Sequence, residues 1–474
     1  MKLFKLLKGI RCRVLGSTLI EIEGLYHKDK EVKNKGMYFC LTGSNFDGVN
    51  YVNSAIKSGA TAIVSEREIQ GVCGITQILV KDIRKAMSLI SVNFYNNPAK
   101  KLKLIGVTGT NGKTTTTYMI SGLLKNLGFS SAIIGTNGVI YNDKRIETGM
   151  TTPDPIELNR ILRILADKSI EYVCMEVSAH SIFYKKIEGL RFEVMVFSNL
   201  TEDHLDFFGN MENYFNSKKS IFDKKHTKQS LINIDDKYGK ILADCIITQK
   251  KTYAILNDAD YLAGNLGIEN GFQKFLFRGS VITAPFLGEF NILNLLSAIA
   301  CIEMLNINIG NIQECVNRLK SVPGRFNTMV INKKLFIIDY AHTPDGLENV
   351  LKLCKNIAKN KKLICLFGCG GNRETQKRVK MGEISSKYAD FTIITTDNPR
   401  YEDRLKIAED IKTGLLNDNY KIILDRGDAI DYANIISGEG DVILLAGKGV
   451  ENYIEECGVK LKYSDYEQIL KLRK

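Results

Sequence analysis

The segment Gly109-Thr110-Asn111-Gly112-Lys113-Thr114 lies between an apolar stretch, Leu102–Val107, and a helical pattern running from Thr114 to about Leu127. Glycines let a backbone wrap so that its N–H groups face phosphate oxygens, and the N-terminus of the following helix adds partial positive charge. Lys113 is placed to reach the β- and γ-phosphates of ATP, and the Thr114 hydroxyl to ligate magnesium, with Thr115 beside it completing the cradle. The glycine usually found five residues before Gly112 is replaced by Val107, with Gly106 one further back. The loop is therefore a shortened relative of the standard phosphate loop. An ordinary glycine-containing strand-to-helix turn is the simpler alternative, and a Gly-Lys-Thr helix start straight after an apolar strand argues against it.

Other residues could serve the same chemistry. Glu176 falls at the end of an apolar run, Tyr172–Val177, and α/β sheets hold their ligands at the C-terminal ends of strands. A hard carboxylate oxygen there suits magnesium; without the phosphate loop, a surface carboxylate would be the better reading. His204 is one of five histidines and reads in isolation as a hydrogen-bonded loop residue. Lys218, on a helical stretch, reads as a solvated lysine. Asn291 and Asn294 are three apart, on one face of an amphipathic helix expected over 291–305. Asp397-Asn398-Pro399-Arg400 follows an apolar strand and reads first as a turn.

The elements that must position these side chains fall into three α/β units. Residues 1–97 form a small unit, with strands expected at Tyr38–Leu41 and Ala60–Val64 and a helix at Tyr51–Ser58; Asn96-Asn97-Pro98 punctuates its end. Residues 98–327 alternate strands and helices, which implies a parallel sheet wound by crossovers. Pro323-Gly324-Arg325 breaks that pattern. Residues 328–474 repeat the alternation, with strands at Leu335–Tyr340, Leu363–Phe367, Phe391–Thr395, Ile422–Leu424 and Val442–Ala446, a Rossmann-like arrangement.

Composition narrows the function classes. With 44% apolar and 25% charged residues among 474, wholesale disorder is ruled out, and no apolar run reaches the roughly 20 residues a membrane span needs. Eleven cysteines include no CxxC pair, so reduced thiols are expected rather than zinc or disulfides. The net charge of +12 is spread evenly, without the arginine-rich arm of a nucleic-acid binder. A polyanionic small substrate is compatible with it.

The compact loop Gly-Thr-Asn-Gly-Lys-Thr resembles that of the Mur ligase family, ATP-dependent amide-forming enzymes of peptidoglycan synthesis with folylpolyglutamate synthetase as a relative. Glu176-Val177-Ser178-Ala179-His180 is similar to the family's Glu-Val-Ser-Ser-His, and Asn199-Leu200-Thr201-Glu202-Asp203-His204-Leu205-Asp206 matches its Asn-Leu-x-x-Asp-His-Leu-Asp. Tyr214 with Lys218, Gly288 to Asn294, Pro323-Gly324-Arg325 and Asp339-Tyr340-Ala341-His342-Thr343-Pro344 follow in order. Seven motifs in the right sequence make the resemblance specific.

The resemblance implies an α/β fold of three domains: a UDP-MurNAc-binding domain, a central ATP-binding domain and a Rossmann-like amino-acid-binding domain. It implies a cytoplasmic monomer that binds neither nucleic acid nor membrane. ATP would phosphorylate the γ-carboxylate of D-glutamate in UDP-MurNAc-L-Ala-D-Glu, and an incoming amine would attack the acyl phosphate. Lys113, Glu176, His204 and Lys218 would be catalytic, with Lys218 carbamylated; Thr114, Glu176, His204 and Lys218 would hold magnesium. Gly109 to Thr115, Asn291, Asn294, Arg325 and Asp339 would contact ATP, and Asp29, Thr151, Thr152, Ser178 and Lys186 the nucleotide-peptide substrate. Lys186 stands where the family has arginine, and Asp29 where it has serine.

For the amine, Asp397-Asn398-Pro399-Arg400 reproduces the motif of members that use meso-diaminopimelate. That amine is lysine with an extra distal carboxylate, which an arginine fork pairs with and which L-lysine lacks. Arg373, Gly447 and Glu451 would supply the remaining contacts. Three alternatives stay open at this level: an L-lysine-adding member, a folylpolyglutamate synthetase-like ligase, and a non-catalytic phosphate-loop binding protein.

Overall fold

The computed structural model describes residues 1–43, 46–269 and 272–473. Among the described residues four sheets carry the architecture, with a short hairpin, Tyr453–Glu456 and Val459–Lys462, beside the last of them.

The first sheet has five strands in the order Cys12–Leu15, Thr76–Val80, Ala60–Ser65, Gly36–Phe39, Gly24–Tyr26, parallel except for the first. The expected strand at Tyr38–Leu41 is seated at Gly36–Phe39. The expected helix begins as a tight turn, Gly48–Tyr51, because the Asp47 carboxylate accepts from the Val49 N–H at 3.0 Å; the α-helix proper is Val52–Lys57.

The central sheet runs Tyr261–Leu262, Gln249–Ala254, Thr227–Asn233, Phe192–Phe197, Lys103–Thr108, Tyr172–Glu176, Ser131–Gly135, Gly138–Tyr141, Lys144–Ile146. The strands up to Ser131–Gly135 are parallel. The last two form an antiparallel edge hairpin, absent from the sequence reading. Asn142 and Asp143 both take positive φ, 44° and 61°, giving the turn that returns such a hairpin.

The sequence reading also passed over a three-stranded antiparallel sheet, Gly264–Glu269, Phe272–Phe277 and Ser280–Ala284. Its Phe275, Phe277, Ile282 and Ala284 share one core with the helix Glu289–Met304. That helix is not amphipathic as expected. It is buried on nearly all sides, since the small sheet, the helix Lys113–Asn126 and the parallel sheet all contribute to that core.

The last large sheet runs Asn327–Ile331, Lys334–Asp339, Val442–Ala446, Leu363–Phe367, Phe391–Ile394, Tyr420–Ile422. All but the first strand are parallel, and separate apolar cores cover its two faces. The strand expected at Ile422–Leu424 lies two residues earlier. No helix among the described residues is long and apolar enough to cross a membrane.

Candidate active site

Strand Lys103–Thr108 sits inside the central sheet and delivers the glycine loop directly to the helix Lys113–Asn126. Gly109 and Gly112 take φ of +152° and +85°. A Cβ on Gly109 would collide with the Ser198 hydroxyl, and one on Gly112 would lie 2.6 Å from Asn294 Oδ1. Only glycine fits this path. Lys113 Nζ folds back onto the carbonyls of Gly109 and Thr110 at 2.9 and 2.8 Å, and burial lowers its pKa. Thr110 and Asn111 are fixed from below: Thr110 Oγ1 accepts from the Thr201 N–H at 3.0 Å, and the Asn111 N–H donates to Asn199 Oδ1 at 2.8 Å.

Glu176 ends its strand beside this loop, almost fully buried. Its Oε2 accepts from Thr114 Oγ1 at 3.0 Å and its Oε1 from the Thr136 N–H at 2.9 Å. The same Thr114 hydroxyl accepts from Arg325 Nη2 at 3.0 Å, so a residue flanking the last sheet reaches the phosphate loop. The Arg325 guanidinium in turn lies 4.6 Å from the centre of the Tyr340 ring.

His204 is held at φ +59°, with Nε2 3.2 Å from Asp203 Oδ2. Burial is the largest influence on its imidazole and pushes the pKa down to about 3, despite Asp203. It is neutral at ordinary pH, the form in which a histidine ligates metal. Lys218 is not solvated. It is buried, with Nζ on the Gly109 carbonyl at 2.8 Å and the Tyr214 ring 4.8 Å away. Burial first, and Lys113 second, hold its pKa well below that of an ordinary lysine. Among the described residues no three His, Cys, Asp or Glu side chains gather as a ready-made metal cage. The hard donors are instead Thr114 and Glu176, with neutral His204 a short way off along the same cavity.

Two cavities meet at the loop. One, of about 120 Å³, is lined by Gly112, Thr115, Asn291, Asn294, Arg325 and Asp339 among others. Asn294 Oδ1 accepts from Thr116 Oγ1 at 3.2 Å, while Asp339 accepts from the N–H groups of Phe326 and Ala341, both at 2.7 Å. The other, of about 300 Å³, takes in Lys113, Thr114, Glu176 and His204 on one side and Arg373, Asp397, Asn398, Arg400, Gly447 and Glu451 on the other. Arg400 takes φ +53°, and its side chain donates to the Gly371 carbonyl at 2.8 Å and lies 3.4 Å from Glu455. Pro399 presents its carbonyl to Gly371, where a side chain would collide. Glu451 Oε1 accepts from the Tyr340 hydroxyl at 3.3 Å and Oε2 from Asn398 Nδ2 at 2.8 Å. Sequence reasoning missed Lys448 and Tyr340 here, because their partners come from separate strand ends.

A sequence signature described as "Mur ligase middle domain" matches residues 107–302, and one described as "Mur ligase, glutamate ligase domain" matches 324–449. A protein of Clostridium acetobutylicum named UDP-N-acetylmuramoyl-L-alanyl-D-glutamate--2,6-diaminopimelate ligase 1 is 40% identical, covering 99% of this chain and 98% of its own. The chain belongs to the Mur ligase family. A Clostridium botulinum relative with the same ligase name is 38% identical over 96% of this Mur ligase and 95% of its own length. A solved structure of a UDP-N-acetylmuramoyl-L-alanyl-D-glutamate--2,6-diaminopimelate ligase aligns with a TM-score of 0.66 at 29% identity, covering 95% of this chain and 94% of that one.

Not every expected residue of this Mur ligase reaches the larger cavity. Thr151 and Ser178 line it. Thr152 lies beneath, its hydroxyl donating to the Glu176 carbonyl at 2.9 Å. Lys186 instead pairs with Asp154 at 2.8 Å, and Asp29 accepts from Ser54 Oγ at 2.6 Å within the first sheet's unit. Neighbouring Lys185 bridges to Asp82, tying that unit to the central one.

Proposed function

We propose that this protein is an ATP-dependent ligase that joins meso-diaminopimelate to UDP-MurNAc-L-Ala-D-Glu in peptidoglycan synthesis. One observation carries the reading: a single 300 Å³ cavity is walled by the phosphate loop and Glu176 on one side and by Arg373, Asn398, Arg400 and Glu451 on the other. A phosphoryl donor and an amine bound there would face the same reacting carbon. The names of the relatives support the same assignment.

In this reading a γ-carboxylate oxygen of the dipeptide attacks the terminal phosphorus of ATP and ADP departs. The amine nitrogen then attacks the acyl carbon, loses a proton, and inorganic phosphate leaves. Lys113 and the loop N–H groups offset charge on the transferring phosphoryl group, where preorganised donors act most strongly. Arg325 adds a cation against the same loop, and Asn291, Asn294 and Asp339 line the recess for the rest of ATP. Arg400 and Arg373 hold the amine's carboxylates and Glu451 its distal ammonium. Thr114, Glu176 and His204 offer the hard oxygens and neutral nitrogen that magnesium takes, and magnesium when bound supplies further positive charge at the phosphates.

Lys218 fits carbamylation. Carbon dioxide reacts with a neutral amine, and a lysine held well below its ordinary pKa supplies one. The carbamate would add oxygen ligands for a second magnesium. We assign residues 1–97 to the nucleotide-sugar, 98–327 to ATP and 328–474 to the amine, in a cytoplasmic monomer. Thr151, Thr152 and Ser178 are the closest of the expected nucleotide-peptide contacts, while Asp29 and Lys186 are engaged with protein partners.

The test is phosphate release from ATP with each substrate omitted in turn. Release only when both UDP-MurNAc-L-Ala-D-Glu and meso-diaminopimelate are present is the expected result. Release with L-lysine as efficient as with diaminopimelate, or release with neither amine, would overturn the assignment.

A further inference from the structure

The Asn398 amide has no freedom to turn over. Its Oδ1 accepts from Lys448 Nζ at 2.6 Å and from the Glu455 N–H at 2.9 Å, which leaves Nδ2 to donate to Glu451 Oε2 at 2.8 Å. Lys448 is fully buried. Its ammonium also donates to Glu451 Oε2 at 3.2 Å and the Tyr453 carbonyl at 2.8 Å, and lies 3.2 Å from Asp397 Oδ1. A buried ammonium is expensive unless surrounded by acceptors, and an apolar side chain fills such a space at least as stably. Here every acceptor belongs to the cavity wall or to the hairpin strand behind it.

Charge gives the arrangement its direction. Asp397, Asn398 and Glu451 line the cavity together. Burial alone would push the Asp397 carboxyl up, but Lys448 and Arg426 outweigh it and keep it ionised. With Lys448 behind them, the two carboxylates and one ammonium form a cluster of one net negative charge instead of two, on the same side of the cavity as the Arg373 and Arg400 guanidiniums. A distal centre carrying both ammonium and carboxylate suits one negative charge set beside Arg400. A bare distal ammonium would prefer the more negative wall.

We infer that Lys448 is a positioning residue for the amine: it fixes the orientation of Asn398 and Glu451 and sets the wall charge that favours an amine bearing a distal carboxylate over L-lysine. This deepens the proposed function and rests on it.

The experiment uses the full-length enzyme and Lys448→Met, each substrate varied in turn, with phosphate release as the signal. The KM for diaminopimelate should rise about tenfold or more, while those for ATP and the nucleotide-peptide stay within about twofold. The ratio of kcat/KM for diaminopimelate over L-lysine should fall about tenfold. If Lys448→Met does not fold by thermal melting, Lys448→Met/Asp397→Asn removes both charges and is judged against Asp397→Asn alone. A diaminopimelate KM within about twofold of its reference, an equal loss for both amines, or a double variant that also fails to fold would overturn the positioning role. A parent enzyme that releases no phosphate with diaminopimelate would overturn the function itself.

Discussion

Lys113 and Lys218 donate to one and the same acceptor, the carbonyl oxygen of Gly109, at 2.9 and 2.8 Å. Residues more than a hundred positions apart thus bring two amines together under the phosphate loop. In the proposed mechanism their chemistry differs: Lys113 would meet phosphate as a cation, and Lys218 would be modified as a neutral amine.

Lys113→Ala should keep the fold and lose turnover by about 100-fold or more, since a donor aimed at developing charge is removed from a dry site. Steady-state phosphate release, with circular dichroism as the folding control, checks it. Near-parental turnover in a folded variant would contradict the ATP assignment.

Lys218→Ala should lose most activity and regain part of it when acetate or formate is added, because a small carboxylate can supply the missing oxygen ligand. Incubating the parent with ¹³C-bicarbonate should give a carbamate NMR signal that the variant lacks. A fully active Lys218→Ala protein would rule out the carbamate.

Arg400→Ala should raise the KM for diaminopimelate about tenfold or more and leave that for ATP within about twofold, since the distal carboxylate loses its partner and the Gly371 carbonyl and Glu455, which lose theirs too, lie on the amine side. Unchanged kinetics in diaminopimelate would remove Arg400 from the amine site.

Gly135→Ala tests Glu176 without touching it. A Cβ at position 135 would run into Glu176 Oε1. The strand should survive and the carboxylate should be displaced, so turnover should drop about tenfold with a higher magnesium requirement. A magnesium titration identical to the parent's would mean that Glu176 does not hold the metal.

His226 carries a pH-dependent share of stability. Burial opposes its charged form, but Glu188 and Asp223 outweigh that and raise its pKa above 6.5. His226, its Nε2 3.6 Å from Glu188 Oε1, is the first influence that lowers Glu188 to about 2, with Lys225 adding to it. The raised histidine stabilises the fold below pH 6.5 and loses that contribution as pH rises through its folded value. The depressed carboxylate contributes above pH 4.5 and loses it as pH falls towards 2. The pair is therefore worth most between about pH 4.5 and 6.5. His226→Gln should destabilise by about 1 kcal/mol more at pH 5.5 than at pH 8.5 in calorimetric melts. Equal losses at both pH values would contradict the ion pairing.

Much of the fold was legible because chemistry and periodicity coincide over short stretches. Strand, glycine loop and helix around Lys113 are contiguous, so local spacing alone announces the phosphate cradle. The all-round burial of the helix Glu289–Met304 was not legible, because the sheet covering it, Gly264–Glu269, Phe272–Phe277 and Ser280–Ala284, joins short strands that lack a clear period. Lys448 escaped notice for a similar reason. Its partners Asp397 and Asn398 follow a different strand, and nothing in its own neighbours marks it as buried. Asp29 shows another side of this: motif position draws attention to it, but not to the bond its carboxylate accepts from Ser54.

Asn111, in the middle of the phosphate loop, donates from its side chain to Asp345 at 2.7 Å and accepts from Thr343. The loop and the helix Pro344–Ala358, which Thr343 caps, are therefore a joint inheritance. A chimera that took the residues before 328 from one relative and the rest from another would keep each sheet intact and could still fail, by separating the two ends of that bond. Recombination of this chain would meet a seam that the boundary between sheets does not reveal.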